Sequence, residues 1–93
     1  MSNKFFTLHP DGKNGVNIDL EKYNLIKHTI LKIIKEHKEI TYQNLNKLAV
    51  ERLKAIFQGS IPWYVVTVKL DLEARKIIER LPETSPQRIR LVE

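Results

Sequence analysis

Apolar side chains recur at three- and four-residue spacing along the first half of the chain. Over residues 20–37 they form one face of an amphipathic helix, while lysines occupy the other faces. Asp19 stands at the expected N-cap of this helix. A shorter apolar run predicts a second helix over about 42–54, with Thr41 as its cap. The pattern therefore predicts two consecutive helices separated by a short break at residues 39–41.

The next segment, residues 62–75, fits two different periods. Apolar and polar residues alternate from Tyr64 to Leu72, and β-branched residues are frequent, which favours a strand. Ile61, Val65 and Leu72 also fall on one stripe of a helix, and Pro62 suits a first helical turn. Periodicity alone leaves both interpretations open.

Both ends of the chain predict β-structure. Residues 4–8 can form a short strand, and the Gly- and Asn-rich stretch 9–17 then turns. Near the C-terminus, aliphatic residues lie on both sides of the stretch 82–86 (PETSP) and alternate with arginines after it. This arrangement predicts a β-hairpin with a five-residue loop.

The order of helix, helix, third segment and hairpin resembles the winged helix-turn-helix domain, in which a hairpin, the wing, directly follows the recognition helix. Residues 68–80 (VKLDLEARKIIER) are similar to the end of the recognition helix in many bacterial winged-helix regulators. Lys76 departs from that pattern, because many relatives have a helix-ending glycine there. A lysine can adopt the required left-handed conformation at a cost of about 1 kcal/mol. The resemblance implies that residues 62–75 are helical.

A second resemblance covers nearly the whole chain. The stretches LHPDGKNGVNI, GSIPWYVVTVKLDLEAR and PQRIRL resemble those of a small prokaryotic family with no known activity. We therefore expect an α+β fold, mostly α, of the winged helix-turn-helix type, with three helices and a C-terminal β-hairpin wing. Residues 1–18 would form an N-terminal arm or strand that packs on a winged-helix domain of residues 19–93.

Composition narrows the classes of function only modestly. The chain has 93 residues, which is the length of one domain, and no cysteine, which excludes disulfides and cysteine zinc sites. The net charge of +5 favours a polyanionic partner, although the excess is spread along the chain. Without a signal-peptide pattern or a long apolar stretch, we expect a cytoplasmic protein that does not act in a membrane.

The first hypothesis is that the domain binds nucleic acid, namely double-stranded DNA, in the manner of a transcription regulator. The third helix and the wing would dock on the duplex. Lys69, Arg80, Arg88 and Arg90 would contact phosphates, and Gln87 would reach a groove edge. Asp71 on the same helix would repel phosphate.

The alternative is a protein-interaction or homodimerisation module. With the core stripe facing inward, the outer face of the third helix has none of the Arg, Lys, Asn or Gln side chains that read bases. That face is apolar and needs a cover, which is either the N-terminal arm or a partner. Its residues are Trp63, Val66, Thr67 and Leu70.

Enzymatic, metal and cofactor sites are not expected. The chain has no phosphate-binding glycine loop, no nucleophile in a catalytic setting and no evident carboxylate pair. His28 and His37 are nine residues apart, which is not the spacing of a helical zinc pair, and His9 has no companion ligand nearby in sequence.

Overall fold

The computed structural model describes residues 3–82 and 85–92. This part of the chain forms an α+β fold with three helices and two small β-sheets. The elements, in chain order, are β1 (Lys4–Phe6), β2 (Asn17–Asp19), α1 (Leu20–His37), β3 (Glu39–Thr41), α2 (Tyr42–Leu53), α3 (Ile61–Ala74), β4 (Ile78–Leu81) and β5 (Arg88–Leu91).

Each helix begins at a side chain that caps its first turn. Asp19 accepts a hydrogen bond from the Lys22 amide at 3.1 Å, and Thr41 accepts one from the Asn44 amide at 3.3 Å. Ser60 does the same for α3. Such caps satisfy amides that have no partner within the helix. The predicted caps Asp19 and Thr41 are confirmed.

The core lies between the three helices and the inner face of the larger sheet. The isoleucines of α1 lie against the apolar stripe of α3 that helical spacing predicts, and all of these side chains are buried, with only Ile61 keeping 7% exposure. Burial of one such side chain contributes about 1.5–3 kcal/mol. The fully buried members of this interface are Ile26, Ile30, Ile33, Ile34, Val65, Val68 and Leu72.

The larger sheet contains a strand that the sequence pattern does not indicate. Residues 39–41, interpreted as a break between two helices, form β3, and the antiparallel strand order is β3-β5-β4. Ile40 pairs with Ile89 of β5, and both side chains enter the core. The predicted C-terminal hairpin is present as β4 and β5. Of its predicted loop, Glu83 and Thr84 lie outside the described residues.

The N-terminal arm folds back on itself as a second, two-stranded sheet. Strands β1 and β2 pair antiparallel, with Phe5 opposite Ile18. Beyond the strands, Thr7 and Val16 continue the pairing through backbone and side-chain hydrogen bonds of 2.9–3.2 Å. At Gly15 an added Cβ would lie 1.6 Å from the Thr7 carbonyl oxygen. The arm can close only because this residue has no side chain.

The ambiguous third segment is a helix, α3, which ends at Ala74 and is followed by the C-cap Arg75 and by Lys76. Lys76 has φ 64°, in the left-handed region. Its amide donates to the Glu73 carbonyl at 3.1 Å, and the Ile77 amide donates to the Leu72 carbonyl at 3.0 Å. These two bonds make a Schellman motif, which turns the chain directly from α3 into β4.

Because a lysine is strained at positive φ, Lys76→Gly is expected to stabilise the fold. Lys76→Ala removes the same charge and side chain but keeps a Cβ, so it is the matched control. We expect the free energy of unfolding in urea to be about 1 kcal/mol higher for the glycine variant than for the alanine variant. Equal values for the two variants would contradict a strained left-handed turn.

Candidate interaction surface

A buried carboxylate holds the N-terminal arm to the helices. Asp71 of α3 is 0% exposed. One of its oxygens accepts a hydrogen bond from the Leu8 amide of the arm at 2.9 Å, and the other accepts one from the Tyr23 hydroxyl of α1. Arg75, one turn later on α3, donates to both oxygens at 3.0 Å. Asp71 therefore joins the arm, α1 and α3 at one point.

An aromatic ring of the arm completes this junction. Phe5 stacks on Tyr23 with ring centroids 4.0 Å apart, and the Arg75 guanidinium lies 4.9 Å from the centroid of the Phe5 ring. Burial and the neighbouring Asp71 carboxylate raise the pKa of the Tyr23 hydroxyl well above its usual range. The hydroxyl therefore stays protonated and donates to Asp71.

Beside this junction, an open groove with a volume of about 150 Å³ lies between the arm and α3. Three of its residues carry large apolar side chains that are well exposed: Leu8 at 41%, Val16 at 39% and Trp63 at 44%. The indole of Trp63 packs edge-on against Tyr64 with centroids 5.0 Å apart, so its position is defined. The groove is lined by Thr7, Leu8, His9, Asn14, Gly15, Val16, Trp63, Thr67 and Leu70.

This groove resolves how the arm relates to the predicted outer face of the third helix. Thr67 and Leu70 are half-buried beside the arm, whereas Trp63 stays exposed at the rim. Val66 is half-buried and does not line the groove. The arm therefore covers this face in part and adds Leu8 and Val16 to it. None of the lining residues is an Asp, Glu, Lys or Arg.

The basic residues expected to meet phosphate lie beside carboxylates. Glu73, only 7% exposed, pairs with Lys69 at 2.6 Å and with Arg80 at 2.7 Å. The ammonium group of Lys69 also lies 5.4 Å from the centroid of the Tyr42 ring. Glu73 thus links the end of α3 to β4, and it pairs with two of the residues that were predicted to contact phosphate.

The outer face of the β4–β5 hairpin has charges of both signs. Arg90 of β5 is paired across the sheet with Glu79 of β4 on one side and with Glu39 of β3 on the other. Its Nε atom lies 2.7 Å from Oε2 of Glu79. Arg88 lies 3.9 Å from Glu39. Gln87 is exposed just before β5. Alternating cross-strand charges of this kind stabilise a sheet surface and weaken its field toward a polyanion.

Sequence reasoning missed the role of Asp71, which it places at the docking face. A signal was present, because Asp71 follows Val68 by three residues and precedes Arg75 by four. The first spacing puts it next to the core stripe of a helix, and the second gives it a cationic partner on the same face. Leu8 and Val16 could not be assigned to the groove, since their positions depend on how the arm folds.

Within 3–82 and 85–92, no group of three or more His, Cys, Asp or Glu side chains is placed to hold a metal ion. Over the same residues, no helix has the length and apolar character needed to cross a membrane.

These observations define a small α+β protein whose candidate site is an uncharged, partly apolar groove between an N-terminal hairpin and the third helix. The chain belongs to the Family of unknown function (DUF6958), whose model matches residues 4–89. The match therefore includes the arm, the three helices and β4, and it ends within β5. No curated protein matches the chain.

The Tyr23–Asp71 bond predicts a dependence of stability on alkaline pH. The unfolded tyrosine ionises near pH 10, whereas the folded Tyr23 has a raised pKa. Its contribution is therefore complete below about pH 10 and is lost as the pH rises further. Tyr23→Phe should lower the free energy of unfolding at pH 7 by about 1.5–3 kcal/mol and flatten its decline above pH 10.

Tyr64→Phe is the matched control, because it removes a tyrosine hydroxyl and leaves the Tyr23–Asp71 bond in place. Urea denaturation of the three proteins between pH 7 and alkaline pH makes the comparison. If wild type and Tyr23→Phe decline in parallel above pH 10, the inferred coupling is wrong.

Proposed function

We propose that this chain is a winged-helix domain that serves as a protein-interaction module and associates with a second copy of itself through the groove between the arm and α3. The observation that carries this proposal is the clustering of exposed apolar side chains. Six large hydrophobic side chains of the described residues are exposed, and Leu8, Val16 and Trp63 lie at this one groove. Clusters of this kind mark interaction sites.

The order of elements supports the winged-helix assignment. Three helices are followed directly by the β4–β5 hairpin, which takes the place of the wing. The short strand β3 between α1 and α2 pairs with β5 and extends the wing into a three-stranded sheet. The sharp turn at Lys76, from α3 into β4, agrees with the recognition-helix exit of the resemblance.

A second copy of the chain suits this groove because of charge. A two-fold interface brings the same patch of both subunits together, so a charged patch would face its own charge. The protein carries a net charge of +5, yet the groove lining has no Asp, Glu, Lys or Arg. Trp63 also supplies a projecting ring beside a hollow, which is the shape that a self-complementary contact needs.

Double-stranded DNA is the second candidate partner, supported by the net positive charge and by the exposed wing residues Gln87 and Arg88. The ion pairs of Lys69, Arg80 and Arg90 with Glu73 and Glu79 count against it. A phosphate would have to compete with a carboxylate for each of these cations. We therefore place self-association first.

Trp63→Ala and Leu8→Lys test the homodimer. We expect the average molecular mass of the wild-type protein, measured by light scattering or sedimentation, to rise with concentration up to about 1 mM. At that concentration even a dimer with a binding free energy of only about 4 kcal/mol is detected. Both variants should remain monomeric, the first by losing the central ring and the second by placing like charges across the two-fold axis.

Ile56→Ala is the matched control, because Ile56 is an exposed apolar residue that does not line the groove. It should associate as the wild type does, and circular dichroism should show that all variants fold. A wild-type chain that stays monomeric over the whole range, or an equal loss of association in Ile56→Ala, would overturn the proposal.

A titration of labelled random-sequence duplex by fluorescence anisotropy tests the second candidate. If the wing arginines remain engaged with glutamates, Arg88→Ala/Arg90→Ala should change the affinity by less than about twofold at each salt concentration. A steep salt dependence that this double variant flattens would show that the wing docks on phosphates, and DNA would then become the leading partner.

A further inference from the structure

A second groove lies on the far flank of α1, between this helix and the ends of β4 and β5. It is open and has a volume of about 590 Å³. It shares no lining residue with the groove beside Trp63. Its lining residues are His28, Leu31, Lys32, Lys35, Ile77, Leu91 and Val92.

The floor of this groove is apolar and continuous with the core. Leu31, Ile77 and Leu91 are half-buried and pack against the core cluster. Val92 follows them at the end of β5 and is 40% exposed. The Val92 amide donates to the Ile77 carbonyl at 3.0 Å, which holds the two ends of the hairpin side by side. The floor is therefore an ordered aliphatic surface that water still reaches.

The rim along α1 is basic. His28, Lys32 and Lys35 follow one another at four- and three-residue spacing, so they stand along one side of the helix. All three are exposed. Among the described residues, neither Lys32 nor Lys35 forms an ion pair. Glu36, one turn after Lys32, interacts with it electrostatically but is paired with Arg52 at 2.6 Å.

The charged residues described along this rim are all basic, whereas two neighbouring grooves contain both acidic and basic residues. The hollow between α2 and β3 includes Glu39 and Glu51 as well as Lys47. The hollow beside β4 likewise combines acidic and basic side chains. Among the residues that the structure describes, none that lines the groove on α1 is an Asp or Glu.

We infer that this groove binds an acidic amphipathic helix of another protein. The apolar side of such a helix would fill the floor formed by Leu31, Ile77, Leu91 and Val92, and its carboxylates would pair with Lys32 and Lys35. These two lysines are separated along α1 by about 4.5 Å, close to the rise of one helical turn. Carboxylates three or four residues apart on the partner helix match that separation.

The shape of the site favours a helix over the flat surface of a membrane. A membrane-binding face is convex and inserts apolar side chains between lipids, whereas this apolar surface is recessed between α1 and the sheet. Nucleic acid would use the lysines but would leave the aliphatic floor uncovered. Only a partner with an apolar ridge between anionic groups matches both the aliphatic floor and the basic rim. This inference does not depend on self-association at the groove beside Trp63.

The test uses a fluorescein-labelled synthetic helix with leucines along one face and glutamates flanking them, titrated against the full chain by anisotropy. Lys32→Glu/Lys35→Glu should weaken binding by about 10-fold or more, because attraction becomes repulsion. Lys47→Glu/Lys54→Glu is the matched control, with Lys47 on α2 and Lys54 at its C-cap, since each pair of changes lowers the net charge from +5 to +1. This control should bind within about twofold of the wild type.

Val92→Asp provides an independent variant that alters the floor at an exposed position, and it should also weaken binding by about 10-fold. A peptide with lysines in place of its glutamates should not bind. Absence of binding to the wild type, or equal losses in the α1 and α2 double variants, would overturn the inference. Stronger binding to anionic phosphatidylserine vesicles than to the peptide, abolished by the same α1 variant, would assign the groove to a membrane instead.

Discussion

The fold depends on the hydrogen-bond donors and the charge that surround the buried Asp71 carboxylate. Burial of an unpaired carboxylate costs several kcal/mol, and the cost is offset only when charges and donors surround it. The donors here come from three separate parts of the chain: the Leu8 amide, the Tyr23 hydroxyl and the Arg75 guanidinium. Any structure that buries Asp71 must therefore bring the arm against both α1 and α3, and Phe5 between Tyr23 and Arg75 strengthens the same arrangement. The groove beside Trp63 exists because the arm is held at this point.

A second carboxylate, Glu73, determines the electrostatic character of the opposite side of α3. It pairs with Lys69 and Arg80, while Glu79 pairs with Arg90 of β5. Much of the basic charge of α3 and of the β4–β5 hairpin is therefore balanced within the fold. The lysines of α1 have no such partners among the described residues, so the positive charge available for binding shifts to that helix. The sequence alone shows how many charges there are, but the pairing depends on contacts between elements that are distant along the chain.

Periodicity was sufficient for α1 and α2, left α3 ambiguous, and was insufficient for the short strands. Helix α1 gives eighteen residues of amphipathic pattern, and its bounds agree with the prediction. Strands β2 and β3 are three residues long, too short for an alternation to be recognised. Each is defined by its partner strand, so β3 could be identified only once β5 was placed beside it. The same limit applies to the arm, where the close approach of Gly15 to Thr7 is a tertiary contact without a periodic signal.

The sequence of α3 shows why the one segment with an ambiguous pattern also lines the groove beside Trp63. Its sequence fits both a strand and a helix because apolar residues occur around most of its circumference. A helix of that kind must be covered on more than one side. The core covers Val65 and Leu72, the arm covers Leu70 in part, and Trp63 remains at the uncovered edge. If α3 were an ordinary amphipathic helix, neither the arm nor a partner would be needed on its outer face. The ambiguity in the pattern and the exposed groove thus have a single cause, which is the excess of apolar side chains on this helix.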